Sequence, residues 1–313
     1  MDKKEQFYQR LEQRGVSRRD FMRYCTFLTA TMGLSASFVP KVAEVFAAPK
    51  QRPPVIWLNF GECTGCTEAM LRTVYPYADE LVLEILSVEY HETIMAAAGH
   101  QAEEQLQAAL KKHSGKFICV AEGAIPTKYN GGYGRIGGRT FLEIAQEVIP
   151  QAAATICIGT CACFGGVPAA KPNPGGYMGV GQALKMKTIN IPGCPPNPVN
   201  LVGTIVNYLL LGKLPAVDDM GRPLFAYGKT IHDQCPRRSH FENEEFVEEF
   251  GSKEAALGYC LYKMGCRGPE TYNNCPVAKF NDGTSWPVEA GHPCIGCSEP
   301  DFWDKMTPFY EEF

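Results

Sequence analysis

The sequence predicts an α/β fold: a parallel sheet covered by helices on both faces, followed by a second, smaller and irregular domain. Three observations predict it. From residue 54 onward, short apolar runs alternate with amphipathic ones, the pattern of strand–helix–strand units. After residue 213 the texture changes, with little sustained periodicity and much Gly and Pro. That last third also holds six of the chain's 14 cysteines, too little apolar material for a large core and enough thiol to organise one around cofactors.

The elements follow in order. "PVIWLNF" reads as a buried strand and "EAMLRTVY" after it as a helix. "LVLEILSVEYH" contains the second strand. "QAEEQLQAALKKH" sets Leu106 and Leu110 four apart on one helix face. "KFICVAEGAIP" is a strand, "TFLEIAQEVI" a helix and "ATICIGTCA" a strand. "TINIPGCPPNP" is a strand running into a Pro-rich turn, and "NLVGTIVNYLLLG" is a helix ending at Gly212. "KLPAVDDMGRPLF" is linker-like. The expected division is a leader over 1–47, the α/β domain over 48–213 and the second domain over 214–313.

The leader reads as a targeting signal. Arg18 and Arg19 precede a short, mildly apolar stretch diluted by Thr, Ser and Gly, too short and polar to span a bilayer. "EVFAAPK" offers small residues for cleavage near Ala47 or Ala48. Paired arginines before such a stretch read as a twin-arginine signal, which carries proteins out already folded, against the alternative of a chance pair on an amphipathic helix. Beyond residue 47 the chain has 22 Lys and Arg against 29 Asp and Glu, a net of −7. That argues against a general nucleic-acid binder. No later stretch is long and apolar enough for a transmembrane helix, so no membrane anchor is expected.

Export to an oxidising compartment would ordinarily make cysteines read as disulfides. The spacings argue for metal. Cys63 and Cys66 form "CTGC" after the first strand, Cys161 follows the fourth, and Cys194 follows the fifth. All four fall at carboxyl ends of parallel strands, where open α/β sheets place ligands. Four thiolates from three loops suit an iron–sulfur cluster. Structural zinc is the alternative, but its ligands usually come as two tight pairs. A second set is His232, Cys235, Cys260 and Cys266, which suits zinc or a cluster with one imidazole ligand. A third is Cys275, Cys294 and Cys297, one thiolate short. Pro287 lies seven residues before Cys294 and has no side-chain donor. If it takes the fourth ligand's place, that corner carries no iron and the cluster has three. Cys25 falls in the leader. Cys119 and Cys157 read as buried core thiols, and Cys163 as a bystander or a thiol supporting the first set. His91, His100, His113, His240 and His292 have no comparable cysteine neighbours.

These residues resemble a known family. "SRRDFM", "ECTGCTE", "EGAIP", "GTCACFGG", "INIPGCPPNP", "IHDQCP", "GYCLYKMGCRGPETYNNCP" and "WPVEAGHPCIGCSEPDFWD" are similar to the small, electron-transferring subunit of periplasmic uptake [NiFe] hydrogenases, over essentially the whole chain. The resemblance implies a flavodoxin-like first domain. It assigns a proximal [4Fe-4S] cluster to Cys63, Cys66, Cys161 and Cys194, and a distal [4Fe-4S] cluster to His232, Cys235, Cys260 and Cys266. It assigns a medial [3Fe-4S] cluster to Cys275, Cys294 and Cys297, with Pro287 at the vacant corner. It implies a heterodimer with a large subunit holding the nickel–iron site, so this chain supplies no catalytic residue. Electrons from hydrogen would run proximal to medial to distal and leave near His232 to an external acceptor such as a multihaem c-type cytochrome. Gly65 stands where oxygen-tolerant members carry an extra cysteine, which implies the standard oxygen-sensitive type. The related subunit of quinone-reducing complexes shares the first domain but should lack the second and third sets. A zinc- or disulfide-held periplasmic binding protein is the alternative of another class.

Overall fold

The computed structural model describes residues 3–48, 52–74, 76–281 and 283–306. Strands β1 (Pro54–Asn59), β2 (Ser87–His91), β3 (Ile118–Glu122), β4 (Ala154–Ile158) and β5 (Ile189–Ile191) form one sheet. Its order is 2-1-3-4-5, and every pair is parallel. This is the flavodoxin-like order, which opens a crevice beyond the carboxyl ends of β1 and β3. The α/β expectation is met strand by strand. Two apolar runs divide more finely than the sequence suggests. Leu81–Ile85 is a wide helical turn ahead of β2. After β4, Gly159 at φ +83° turns the chain out of the sheet, and Gly159–Phe164 is helical.

The helices used below are α1 (Lys3–Gln13), α2 (Arg18–Thr31), α3 (Val39–Ala47), α4 (Gly65–Leu71), α5 (His100–His113), α6 (Phe141–Val148), α7 (Gly159–Phe164) and α8 (Pro198–Leu211). The alternation of each strand sends residues to two faces. Ile56, Leu58, Cys119, Ala121 and Cys157 pack under α5 and α6. Val55, Trp57, Val120, Ile156 and Ile158 pack under α8 and the N-terminal helices. Local chemistry fixes the helix ends. Thr140 and Glu143 cap α6 reciprocally, the Glu143 N–H donating to Thr140 Oγ1 at 3.1 Å and the Thr140 N–H to Glu143 Oε2 at 2.7 Å. Asn197 caps α8 through the Val199 N–H at 3.1 Å, and Gly212, at φ +66°, ends it.

The N-terminal segment is three helices seated on the body. Phe21, Leu28, Val42 and Phe46 are at most 2% exposed and share one core with Leu201, Val202 and Ile205 of α8. Each such side chain, fully buried, contributes about 1.5–3 kcal/mol. Phe21 meets Phe7, Tyr8 and Phe46 edge-on, with ring centroids 5.2, 5.9 and 6.0 Å apart. Gly203 permits the approach: a Cβ there would stand 3.6 Å from Leu28 Cδ1 and 3.2 Å from the Phe225 ring. The sequence shows a diluted apolar stretch. The structure shows that its apolar members line one side of α2.

Beyond residue 213 short helices and turns surround a small core of Ile231, Val247, Leu261, Trp286 and Val288, with Cys275 and Cys294 among them. Buried polar links brace it from within and join it to the sheet domain. Arg222 Nη1 donates to Glu299 at 2.8 and 3.0 Å, and its Nε to Asp218 at 2.7 Å. The Asn200 and Asn274 amides bond reciprocally at 3.2 and 2.8 Å. The Tyr227 hydroxyl donates to the Pro192 carbonyl at 2.8 Å. Among the described residues no helix is long and apolar enough to cross a membrane. Residues 307–313, which include most of the closing stretch expected to carry no anchor, lie outside the described residues, as do 49–51 just past the expected cleavage point.

His91 ends β2 at 1% exposure, stacked on Trp57 at 4.9 Å, with Thr67 Oγ1 3.3 Å from Nε2 and Thr93 Oγ1 3.1 Å from Nδ1. Burial pushes its pKa from 6.5 down to about 4. Between those values the unfolded chain takes a proton that the folded chain refuses. The stability this supplies is complete above the upper value and is lost as pH falls, by at most about 3 kcal/mol. Thermal unfolding midpoints from about pH 7 to about pH 4.5 should therefore fall less steeply in His91→Asn than in the wild type. An identical slope would assign the acid sensitivity elsewhere.

Candidate iron–sulfur sites

The first set assembles where the sheet order reverses. Cys63 lies on the loop from β1 into α4, Cys66 on the first turn of α4, Cys161 on the first turn of α7, and Cys194 on the turn after β5. Their charges reach one another. Burial pushes the Cys66 thiol well up, and Glu122, Cys161, Cys194 and Cys63 push it further. Burial first, then Cys194, raises Cys161 to about 12. Burial raises Cys194, with Cys63 adding to it. The sulfurs rest against glycines. A Cβ on Gly159 would run into Cys66 Sγ, and one on Gly166 would lie 2.6 Å from Cys161 Sγ.

Glu122, wholly buried at the end of β3, shapes this loop. Its Oε1 accepts from the backbone N–H groups of Cys66 at 3.0 Å and Thr67 at 3.1 Å. Its Oε2 accepts from Thr67 Oγ1 at 2.5 Å, Trp57 Nε1 at 3.1 Å and Asn59 Nδ2 at 3.3 Å. Five donors offset the cost of burying the carboxylate. Thr160 makes the next connection. Its hydroxyl accepts from the Gly193 N–H at 2.9 Å, beside Cys194, and donates to the Cys297 carbonyl.

The third set is deeply buried. Burial, then Cys297 and Cys294, pushes Cys275 far up; burial raises Cys294 to about 12 and Cys297 to about 11. The Gly296 N–H donates to Cys294 Sγ at 3.5 Å. Cys275, Cys294 and Cys297 line, together with Pro287, a cavity of about 1180 Å³ that also reaches Cys194. The second set, His232, Cys235, Cys260 and Cys266, lines one small pocket. His232 is half-buried and edge-on to Phe241 at 4.7 Å. The sets touch in file. Cys297 shares its cavity with Cys194 of the first set, and the Cys294 N–H donates to Cys266 Sγ of the second at 3.4 Å.

The other cysteines stand apart from these sets. Cys119 and Cys157 lie in the sheet core, and Cys25 in the core under α2. Cys163 is buried and donates its S–H to the Cys157 carbonyl at 3.3 Å, facing the core. His113 lies 3.4 Å from Glu89, and His240 lies 2.6 Å from Glu245. Among the described residues no three His, Cys, Asp or Glu side chains are arranged to hold a single metal ion. The second and third sets each line one cavity, and four thiols of the first set lie at the ends of neighbouring elements, a donor set whose chemistry fits a multi-iron cluster. Buried thiols pushed upward by one another become ligands only beside a strong cation, which deprotonates them. Sequence reasoning missed Glu122 and Thr160 as supports. An acid closing an apolar strand, "ICVAE", is the signal that could have found the first; nothing local marks Thr160.

A flavodoxin-like sheet with a thiol set at its switch point, continued by two more sets, defines an electron-transferring iron–sulfur protein. Residues 63–208 match the family model of the NADH ubiquinone oxidoreductase 20 kDa subunit, and residues 227–310 match the C-terminal model of the NiFe/NiFeSe hydrogenase small subunit. The periplasmic [NiFe] hydrogenase small subunit 1 of Nitratidesulfovibrio vulgaris is 54% identical, over 98% of this chain and 97% of its own. The quinone-reactive Ni/Fe-hydrogenase small chain of Wolinella succinogenes is 50% identical, over 96% and 85%. A crystal structure of the [NiFeSe] hydrogenase from Desulfomicrobium baculatum superposes with a TM-score of 0.78 at 37% identity, covering 84% of this chain and all of that one. The chain belongs to the family of [NiFe] hydrogenase small subunits. It is the electron-transferring component of an oxidoreductase whose nickel–iron site lies in the large subunit.

Gly159→Ala puts a methyl group onto Cys66 Sγ at a positive φ. It should lower the iron content per chain by iron analysis, with the loss confined to the signal of one set by EPR. Glu122→Gln keeps the shape but loses the charge, so the Cys66 loop should hold its iron less firmly. Release to a chelator, followed by absorbance, should quicken about tenfold, the loss of one charge-assisted hydrogen bond.

Proposed function

We propose that this chain is a three-station electron wire, exported folded to the periplasm. The observation that carries the reading is the file of thiol sets, joined where Cys194 and Cys297 share one cavity and the Thr160 bridge, and where the Cys294 N–H meets Cys266. Cys63, Cys66, Cys161 and Cys194 hold the proximal [4Fe-4S] cluster. Cys275, Cys294 and Cys297 hold the medial [3Fe-4S] cluster, with Pro287 at its open corner. His232, Cys235, Cys260 and Cys266 hold the distal [4Fe-4S] cluster. When bound, the clusters supply one-electron redox chemistry at each station. The protein's part is positional. Glu122 pins the Cys66 loop through two backbone N–H groups. Thr160 fixes the Cys194 turn against Cys297. N–H groups aimed at Cys294 and Cys266 stabilise negative sulfur.

The leader over 1–47, the sheet domain over 48–213 and the cluster domain over 214–313 are the working units. The electron exit is the half-buried imidazole of His232. The arginines beside it are occupied. Arg237 donates to the Tyr259 carbonyl at 2.8 Å, and Arg238 pairs with Glu242 at 3.0 Å and Asp233 at 3.5 Å. With the charge of Arg238 offset by two carboxylates, a net of −7 beyond the leader suits a basic acceptor such as a multihaem c-type cytochrome. Gly65 within the first pair supports the standard oxygen-sensitive type.

Iron and sulfide analysis of the anaerobically purified heterodimer should give about 12 sulfide and about 12 iron, about 11 of the iron from this chain's clusters and one from the nickel–iron site, with an oxidised three-iron EPR signal. Zinc without sulfide would restore the zinc-held binding protein. Pro287→Cys should add about one iron, abolish the three-iron signal and lower the potential of the medial station. An unaltered signal would remove Pro287 from the vacant corner.

A further inference from the structure

The cavity of about 1180 Å³ has walls of two origins. One comes from the cysteine-bearing loops, with Cys194, Cys275 and Cys297; the other is α2, with Asp20, Arg23 and Phe27. Cys194 is the exposed member of the first set that opens into it. Beneath α2 and α3, the side chains of α8 and of one sheet face form a continuous apolar surface. The opposite sheet face is covered by α5 and α6, which are woven between strands.

The cover formed by α1–α3 is separable. It contributes no strand to the sheet and is joined to the body at one end. Arg14–Asp79, at 2.9 and 2.5 Å, and Arg10–Glu84, at 3.7 Å, tie it to the body, and both pairs have exposed side chains that contribute little. Apolar contact holds it, and another apolar surface can replace that contact.

We propose that α2 and α3 hold the place of the large subunit: they cover the face beside the first thiol set until the large subunit binds there and displaces them. The inference rests on the wire reading, because the entry of electrons at that set is what brings the large subunit to this face. Displacement turns a self-contained chain into one that needs its partner to bury the same surface.

The test compares the full chain alone with the heterodimer taken from the cytoplasm, residues 1–47 still attached. Hydrogen–deuterium exchange is followed over residues 18–47. Amides protected in the lone chain should exchange at least about tenfold faster in the heterodimer. Leu28→Asp with Phe46→Asp, in the full chain, loosens the cover without touching a candidate ligand. It should speed association with the large subunit by at least about threefold, since a covered face lowers the binding-competent fraction. Should that variant precipitate, exchange on the unaltered chain decides alone. Unchanged protection in an iron-replete heterodimer overturns the proposal and leaves the wire reading standing. A chain that takes up no large subunit overturns both.

Discussion

One electrostatic conflict governs this chain. Sulfur must be anionic to bind iron, and burial opposes the anion. In Cys66, Cys275 and Cys294 the largest influence on the thiol is burial, and neighbouring sulfurs add to it. Left to themselves these groups would stay protonated and apart. The fold brings them together regardless, because rigid elements on every side decide where the sulfurs go. A cation arriving at the centre then resolves the conflict. The polypeptide supplies the position and the metal supplies the charge.

The two halves of the molecule meet that demand differently. In the first, four of the five parallel strands end level, with Asn59 opposite Glu122, Glu122 opposite Ile158 and Ile158 opposite Ile191. The thiol loops spring from a surface that hydrogen bonds have already fixed. Glu122 carries that order into the loop itself. In the second, there is no sheet to borrow from. Its apolar core is small, and Cys275 and Cys294 belong to it. Its fixity comes instead from Arg222 and Glu299, from the paired amides of Asn200 and Asn274, and from whatever its sulfurs hold.

Much of this was legible in the sequence, for reasons that differ by residue. The strands were, because "PVIWLNF" and "KFICVAE" are unbroken apolar runs of the kind that a doubly covered sheet requires. The placing of Cys63, Cys66, Cys161 and Cys194 beyond strand ends was, because spacing relative to strand ends is a one-dimensional property. What was hidden depends on distant pairs. Thr160 and Cys297 are 137 residues apart, and Arg222 and Glu299 are 77. No local pattern announces either contact. The N-terminal helices were hidden in another way: Phe21, Cys25 and Leu28 look sparse until the period of a helix aligns them.

The hydroxyl of Thr160 bridges the Gly193 amide and the Cys297 carbonyl, so the turn carrying Cys194 and the loop carrying Cys297 cannot drift independently. Transfer between redox centres slackens steeply with distance. In the proposed wire, a chain that clamps two stations to one side chain works as a ruler, its graduations cut when the protein folds. Exchanging the acceptor at the far end would alter where the current is delivered, while the tempo of its passage through the interior stays written in the fold.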